Sequence, residues 1–162
     1  MREMLYVLAC RVIRLAAKKG LTVGTAESLT GGMIAASLAG VAGASQVLLG
    51  GIVSYDPRIK HELLGVTQAI IDVTGVVSEP CARQMALGAK KRLGVDIAVS
   101  CTGLAGPGGG TPQTPLGTVY LGMAGKDGFY VKEKHFTGGR RQVRRKTVAA
   151  ALHTLWDEIK SW

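Results

Sequence analysis

The chain has 162 residues, of which 47% are hydrophobic and 19% charged, which excludes a disordered segment and fits one folded domain. Its three cysteines, Cys10, Cys81 and Cys101, lie far apart without a C-x-x-C pair, which argues against a disulfide framework and against a zinc site. The net charge of +9, from 20 Lys and Arg against 11 Asp and Glu, predicts an anionic partner, either a small phosphate or a nucleic acid.

The first segment predicts an amphipathic helix over 3–19 rather than a signal sequence, because Arg11 and Arg14 interrupt its apolar residues. No apolar run approaches the roughly 20 residues that a membrane helix needs, so we expect a cytoplasmic protein without membrane contact. The three histidines are scattered along the chain, and neither a metal ion nor a cofactor is expected.

Short apolar strands then alternate with helices. The first half of the chain predicts strands over 21–27 and 50–55, and helices over 31–40 and 57–65. Thr30 is expected to cap the first of these two helices. Asp56 followed by Pro57 is a good N-cap and N1 pair for the second.

The second half of the chain completes the pattern. It predicts a helix from Ser78 to a stop at Gly94, a strand over 95–101, a hairpin over 117–136 and a final helix from near Gly139. Strands that alternate with helices, plus one hairpin, predict an α/β fold: a three-layer α/β/α sandwich with a mixed, mostly parallel sheet. Residues 1–162 are expected to form a single domain.

Three predicted loops follow strands and carry unusual residues, and ligands of open α/β sheets bind where the carboxyl ends of the strands meet. The first loop contains "ESLTGG", residues 27–32. Gly31 and Gly32 allow backbone N–H groups to face an oxyanion or a phosphate at the start of a helix. The residue types leave three interpretations of Ser28 open: a helix cap, a phosphate ligand or a nucleophile.

The second loop, "SYDPRIK", places Lys60 in the first turn of a helix, where the helix dipole disfavours a positive charge. A lysine at this position is either solvated or part of a site. A desolvated lysine has a lowered pKa and can act as a general base, and a Ser–Lys pair is an established form of the activated serine nucleophile.

The third loop, residues 101–117, is rich in glycine and proline and is long for a compact domain, which is typical of functional or disordered loops. It contains neither a Walker A motif nor G-x-G-x-x-G. Its backbone amides could wrap a ligand, and a floppy surface connection is the alternative.

Seven basic residues lie between positions 132 and 146, and four of them, Arg140, Arg141, Arg144 and Arg145, begin the last helix. Positive charge there opposes the helix dipole and sets like charges four residues apart. A bound anion such as a nucleotide phosphate would remove this conflict, whereas a solvated basic face is the alternative. If Arg140 binds the phosphate, Arg141, Arg144, Arg145 and Lys146 are expected to matter less.

The chain resembles the CinA C-terminal domain family, the nicotinamide-nucleotide amidohydrolases, in five stretches that occur in the same order: "TAESLTGG", "GGIVSYDPRIKHELLGV", "GVVSEPCARQMALGA", "TGLAGPGGGTPQTPLGTVY" and "FTGGRRQVRRKT". The resemblance implies hydrolysis of the carboxamide of nicotinamide mononucleotide to nicotinate mononucleotide and ammonia, in pyridine-nucleotide salvage. Larger family proteins also carry an N-terminal molybdopterin-binding-like domain, whose activity is not transferred to this chain.

The resemblance also implies roles for single residues. Ser28 matches the family's nucleophile, Lys60 its base, and Tyr55 the tyrosine that precedes this lysine. Arg140 matches the arginine on the phosphate side. Substrate contacts are implied for Thr30, Gly31, Gly32, Thr102, Gly103, Gly106 and Gly108, and the backbone amides around Thr30 to Gly32 are expected to stabilise an oxyanion.

The sequence departs from the family pattern before the lysine, at Asp56-Pro57-Arg58, and before Arg140, at Gly139, and neither departure removes a reacting group. Two other function classes stay open: a non-catalytic nucleotide-binding or competence-related interaction module, and a nucleic-acid binder. Aromatic residues make up 5% of the chain and do not interleave with the seven basic residues between positions 132 and 146, which argues against a nucleic-acid binder. A homo-oligomer is compatible with the sequence.

Overall fold

The computed structural model describes residues 2–162. Its helices are α1 (Arg2–Lys19), α2 (Met33–Ala39), α3 (Pro57–Leu64), α4 (Gln68–Val73), α5 (Glu79–Leu93) and α6 (Arg140–Ser161), with one short 3-10 helix at Ala44–Gln46. Its strands are β1 (Val23–Glu27), β2 (Leu48–Val53), β3 (Ile97–Gly103), β4 (Thr118–Gly125) and β5 (Gly128–His135). None of the helices within residues 2–162 combines the length and the apolarity that crossing a bilayer requires.

The five strands form one sheet in the order β2-β1-β3-β4-β5. β1 runs parallel to β2 and β3, and β4 runs antiparallel to β3 and β5, so four of the five strands point the same way. The predicted mixed, mostly parallel sheet is confirmed. β1, β2 and β3 end in register, since Glu27 stands beside Val53 and Cys101. The three loops that follow these strands therefore leave the sheet at the same edge.

Helices cover both faces of the sheet and confirm the three-layer prediction. α1, α2 and α6 pack on one face, against Val23 and Val99, while α3, α4 and α5 pack on the other, against Ala26 and Ala98. Successive side chains of a strand point to opposite faces, and β1 and β3 are buried over nearly their whole length. Burial of consecutive residues in β1 and β3 is therefore that of a sheet covered on both sides.

Two predicted helix starts are confirmed. Asp56 caps α3, because its carboxylate accepts a hydrogen bond from the Arg58 amide at 2.8 Å. Ser78 caps α5 in the same way through the Cys81 amide at 3.3 Å. These caps fix where α3 and α5 begin, and α3 is the helix that carries the predicted base.

The prediction that Thr30 caps α2 is wrong. That helix begins after Gly32, whose φ of 95° favours glycine, and the Thr30 hydroxyl donates to the carboxylate of Glu27 instead, at 2.6 Å. α4 and the 3-10 helix have no counterpart among the predicted elements. At six and three residues they are too short to show a helical period in the sequence.

The close packing of α5 on α3 depends on Gly88. A methyl group added at Gly88 would overlap the carbonyl group of Leu64, the last residue of α3. Because α3 carries Lys60, this contact also fixes the position of the helix from which the lysine extends.

We expect Gly88→Ala to lower the free energy of unfolding by about 1–3 kcal/mol through overpacking, although alanine is favoured over glycine by about 1 kcal/mol within a helix. Urea denaturation measures the change. Gly40→Ala is the matched control, because Gly40 has a φ of −70° and an added methyl group would make only ordinary contacts, at 3.5 Å or more. Its effect should stay within about 0.5 kcal/mol, and equal stability of the two variants would contradict the packing role.

Candidate active site

Ser28 directly follows β1 and begins a tight turn. Its backbone N–H donates to the carbonyl of Cys101 on β3 at 3.0 Å, and its own carbonyl accepts a hydrogen bond from the Gly31 amide at 3.0 Å. These two bonds hold the partly exposed serine at the carboxyl edge of the sheet. Because α2 is capped by Gly32, the interpretation of Ser28 as a helix cap is wrong.

Lys60 reaches Ser28 from α3. The lysine is 1% exposed, and its amine lies 3.0 Å from the Ser28 hydroxyl. The amine also contacts the backbone carbonyl groups of Ser54 and Tyr55, the latter at 3.3 Å. No carboxylate within residues 2–162 forms an ion pair with this amine. The lysine is therefore buried against a hydroxyl group and two neutral carbonyl groups.

Burial sets the proton affinity of Lys60. Removing the amine from water disfavours its charged form and lowers its pKa from the usual 10.5, while weaker interactions with Cys81, Cys101 and Asp56 act in the opposite direction. A neutral amine donates to the two backbone carbonyl groups and keeps a lone pair for the proton of the Ser28 hydroxyl. The pair is therefore suited to activate the serine as a nucleophile.

The two thiols near Lys60 are poor nucleophiles. Burial raises the pKa of Cys81 and of Cys101 to about 11, so both thiols are protonated at neutral pH. The Cys101 sulfur lies 3.0 Å from the hydroxyl of Thr30 and is packed beneath the serine turn. Both residues are buried free thiols.

Glu27, the residue before Ser28, is fully buried and accepts five hydrogen bonds. The donors lie at 2.6–3.2 Å and are the hydroxyl groups of Thr25 and Thr30 and the amides of Gly32, Ile34 and Ala35. The three amides form the N-terminus of α2, where the helix dipole favours a negative charge. The chain's own carboxylate thus occupies the helix end that the sequence suggested for a phosphate or an oxyanion.

The expectation that Thr30, Gly31 and Gly32 bind the substrate through their amides and stabilise an oxyanion does not match this geometry. The Gly31 amide donates to the Ser28 carbonyl and the Gly32 amide donates to Glu27 at 3.0 Å. The Thr30 side chain is fully buried, and its backbone amide interacts with the buried Cys101 sulfur. The amide of Leu29, the residue after the serine, makes no hydrogen bond within residues 2–162. Leu29 is therefore the better candidate for an oxyanion donor in this turn.

Arg144 of α6 also contacts the serine turn. Its Nε–H donates to the carbonyl of Leu29 at 2.8 Å and its Nη2 donates to the carbonyl of Thr30 at 3.0 Å. A methyl group added at Gly31 would lie 3.4 Å from this guanidinium. The expectation that Arg144 matters less than Arg140 is therefore not supported by the contacts.

Sequence reasoning missed Glu27 and Arg144 as parts of the site. For Glu27 the available signal was its place in the chain, since it is the one charged residue of β1 and stands at the end of that strand. For Arg144 the signal was a positive charge in the first turns of α6, where the helix dipole disfavours it. Both signals indicate that the charged side chain needs a partner. Neither signal shows that the partners include backbone groups of the turn that follows Ser28.

Arg140 and Tyr55 connect the second loop with the third. One Nη of Arg140 donates to the phenol oxygen of Tyr55 at 2.8 Å, and the other donates to the carbonyl of Gly106 at 2.9 Å. Tyr55 is 57% exposed, and its backbone carbonyl contacts the Lys60 amine. The structure thus brings Arg140 to the segment directly before α3, the helix that carries Lys60. The Tyr55 phenol contacts Arg140 and not the Ser28–Lys60 pair.

The remaining residues of the third loop fall into different environments. Thr102 is 1% exposed, and its hydroxyl donates to the carbonyl of Val76 at 2.6 Å, so its side chain has a structural partner. Gly103 is the last residue of β3 and pairs with Val119 on β4. Gly108 is exposed. The Thr102 side chain and the Leu104 backbone are therefore committed to partners within the protein, and residues 107–110 of the loop are exposed.

Comparison with known proteins places this chain in one family. The sequence model of the CinA C-terminal domain matches residues 6–159. The chain belongs to the CinA C-terminal domain family. A CinA-like protein of Mycolicibacterium gilvum is 47% identical over 137 residues, or 84% of this chain, and one of Dictyoglomus thermophilum is 44% identical over 144 residues, or 89%. The chain spans about a third of the length of these curated relatives, 32% and 35%.

Solved CinA structures share the whole fold. The competence/damage inducible protein CihA from Agrobacterium tumefaciens is 40% identical, with a TM-score of 0.91 over 94% of this chain and 93% of that chain. The competence damage-inducible protein A (ComA) from Klebsiella pneumoniae is 33% identical, with a TM-score of 0.94 over 98% of each chain. The α/β architecture that carries Ser28 and Lys60 is therefore the CinA architecture.

We expect the Lys60 amine of this CinA domain to titrate with a midpoint below 10.5, because burial disfavours its charged form. NMR of protein labelled at the lysine ε-carbon follows the titration, and the resonance is assigned by its loss in Lys60→Met. A midpoint at or above 10.5 would contradict the desolvated position of the amine.

Proposed function

We propose that the protein hydrolyses the carboxamide of nicotinamide mononucleotide to nicotinate mononucleotide and ammonia, as a step of pyridine-nucleotide salvage. Ser28 is the nucleophile and Lys60 is the general base. The observation that carries the proposal is the contact of 3.0 Å between the buried Lys60 amine and the Ser28 hydroxyl. A non-catalytic nucleotide-binding module has no need to bury a lysine against a serine, because burying an amine without a counterion costs stability.

The proposed reaction has two halves. Neutral Lys60 removes the proton of Ser28 while the serine oxygen attacks the carboxamide carbon and forms a C–O bond. The intermediate collapses by breaking its C–N bond, and Lys60 returns the proton to the leaving nitrogen, so that ammonia departs. Water then attacks the ester with Lys60 as base, the C–O bond to Ser28 breaks, and the carboxylate product and the serine hydroxyl are released.

The amide of Leu29 supports this reaction as the proposed oxyanion donor. It belongs to the residue after the nucleophile, as in other serine hydrolases whose nucleophile lies on a tight turn between a strand and a helix. A single donor of this kind contributes roughly 3–4 kcal/mol to transition-state stabilisation. The Gly31 and Gly32 amides do not take this role, because both have acceptors within the protein.

Arg140 is the proposed ligand for the phosphate of the nucleotide. It uses two N–H groups to contact Tyr55 and Gly106, and a guanidinium group has five. The remaining donors are available to an anion, and the Tyr55 contact fixes the guanidinium relative to the segment that leads into α3, the helix that carries Lys60. Membership in the CinA family supports the amidase proposal, and the relatives themselves are described only as CinA-like or competence/damage inducible proteins.

We expect the wild-type protein to release ammonia from nicotinamide mononucleotide, and Ser28→Ala and Lys60→Met each to reduce kcat by at least about 1,000-fold. The double variant should be no worse than either single one, because groups that act as a unit are not additive. A coupled ammonia-release assay measures all three.

Ser54→Ala is the control for this pair. Ser54 contacts Lys60 through its backbone carbonyl, while its buried hydroxyl has no hydrogen-bond partner within residues 2–162, so the variant should keep near-normal turnover. Turnover by Ser28→Ala, or a double variant far below both single ones, would contradict the mechanism. Nucleotide binding by a wild-type protein that releases no ammonia would favour the non-catalytic module.

Arg140→Ala should raise KM for the mononucleotide by roughly 30-fold, which corresponds to about 2 kcal/mol, and should change KM for the riboside without phosphate by less than about threefold. Ammonia-release kinetics with both substrates test this. Arg141→Ala is the matched control, since this neighbouring exposed arginine makes no hydrogen bond within residues 2–162. An equal loss for both substrates would overturn the assignment of Arg140 to the phosphate.

A further inference from the structure

Arg144 contacts the turn that presents Ser28, one helical turn beyond Arg140. We infer that Arg144 is a positioning residue for the nucleophile turn: it orients the peptide groups around Leu29 so that the Leu29 amide faces the developing oxyanion. This inference rests on the proposed role of Ser28 as the nucleophile. It adds Arg144 as a residue that acts on the backbone of the turn and not on the substrate.

The direction of each peptide group in the turn follows from its hydrogen bonds. A peptide C=O and the N–H of the same unit point in opposite directions. Arg144 holds the carbonyl groups of Leu29 and Thr30, and the Ser28 carbonyl is held by the Gly31 amide. All three carbonyl groups of the turn therefore have a donor, while the Leu29 N–H is left unbonded within residues 2–162. Arg144 reaches the Leu29 amide through two peptide units. The Thr30 carbonyl that it holds belongs to the same unit as the Gly31 N–H, which donates to the Ser28 carbonyl, and the Ser28 carbonyl belongs to the same unit as the Leu29 N–H.

The guanidinium has a counterpart in the carboxylate of Glu27. Arg144 donates to carbonyl groups of the turn, and Glu27 accepts from the amide of Gly32 at the end of the same turn. The turn is thus held by a positive group at its carbonyl groups and by a negative group at its amide groups. A turn held by charge-assisted hydrogen bonds at both ends keeps its geometry while the intermediate forms, which is the requirement for a preorganised oxyanion site.

The neighbouring arginine shows that the contact is specific. Arg145 is partly exposed like Arg144, but it makes no hydrogen bond within residues 2–162. Both arginines place the same charge in the same unfavourable part of α6. A comparison of the two positions therefore separates the effect of the carbonyl contacts from the effect of charge.

The test compares Arg144→Gln with Arg145→Gln in steady-state hydrolysis of nicotinamide mononucleotide. A misplaced oxyanion donor should reduce kcat of Arg144→Gln by about 10- to 100-fold and change KM by less than about threefold. Arg145→Gln should keep kcat within about twofold. A raised KM with unchanged kcat in Arg144→Gln would overturn the inference and make Arg144 a substrate ligand, as expected for Arg140.

Chemical rescue distinguishes positioning from a general loss of structure. In Arg144→Ala, added guanidinium ion at about 10–50 mM should restore at least a tenth of the lost kcat, because it can donate to the two vacated carbonyl groups. Guanidinium should not stimulate Arg145→Ala or the wild-type protein. Absence of rescue in an Arg144→Ala protein that unfolds at the wild-type temperature would overturn the inference.

A fluorophosphonate that reacts with activated serines separates this inference from the choice of substrate, because its phosphonyl oxygen takes the place of the oxyanion. If the wild-type protein releases no ammonia but is labelled at Ser28, the substrate proposal fails. Slower labelling of Arg144→Gln than of Arg145→Gln would then still support the positioning role, and equal labelling rates would overturn it. A wild-type protein that shows neither reaction would overturn the nucleophile and the positioning role together.

Discussion

The burial of one amine against one hydroxyl group is the constraint on which the rest of the site depends. Lys60 loses the solvation of its charge, and its partners are Ser28 and two backbone carbonyl groups. Such a contact requires several elements to be fixed at once. The ends of β1 and β2 must be in register, Asp56 must start α3 at the right residue, and α5 must approach closely enough to support α3. The fold supplies each of these conditions through ordinary caps and strand pairing.

The second constraint is that the protein supplies its own anion to a helix N-terminus. Glu27 accepts the amides at the start of α2, which a ligand phosphate would otherwise find unoccupied. The glycines of the first loop therefore serve the turn geometry, since Gly31 and Gly32 have φ values of 59° and 95°. In the proposed function the anionic ligand is therefore assigned to Arg140 of α6, while Glu27 holds the turn that carries Ser28.

The sequence allowed the layers, the strand directions and two helix caps to be predicted, because hydrophobic period and capping residues are local signals. The pairing of Ser28 with Lys60 came from the family resemblance, since a separation of 32 residues along the chain carries no signal of a contact. Arg144 could not be predicted, because its partners are carbonyl groups more than 110 residues away. Every residue has a backbone carbonyl group, so the sequence does not show which carbonyl groups accept hydrogen bonds from a distant arginine.

The seven basic residues between positions 132 and 146 form one cluster in the sequence, but in the structure some of them have partners within the protein and others do not. Of its seven charged groups, four have partners within the protein: Lys132 lies over the ring of Tyr130, Lys146 contacts Thr137, and Arg140 and Arg144 contact loop carbonyl groups. The other three, Lys134, Arg141 and Arg145, make no such contact within residues 2–162. A nucleic-acid surface needs a continuous stripe of free charges to follow a phosphate backbone. Two of the four arginines, Arg140 and Arg144, are instead committed to contacts within the protein, which favours the proposed site for a single small anion over a nucleic-acid surface.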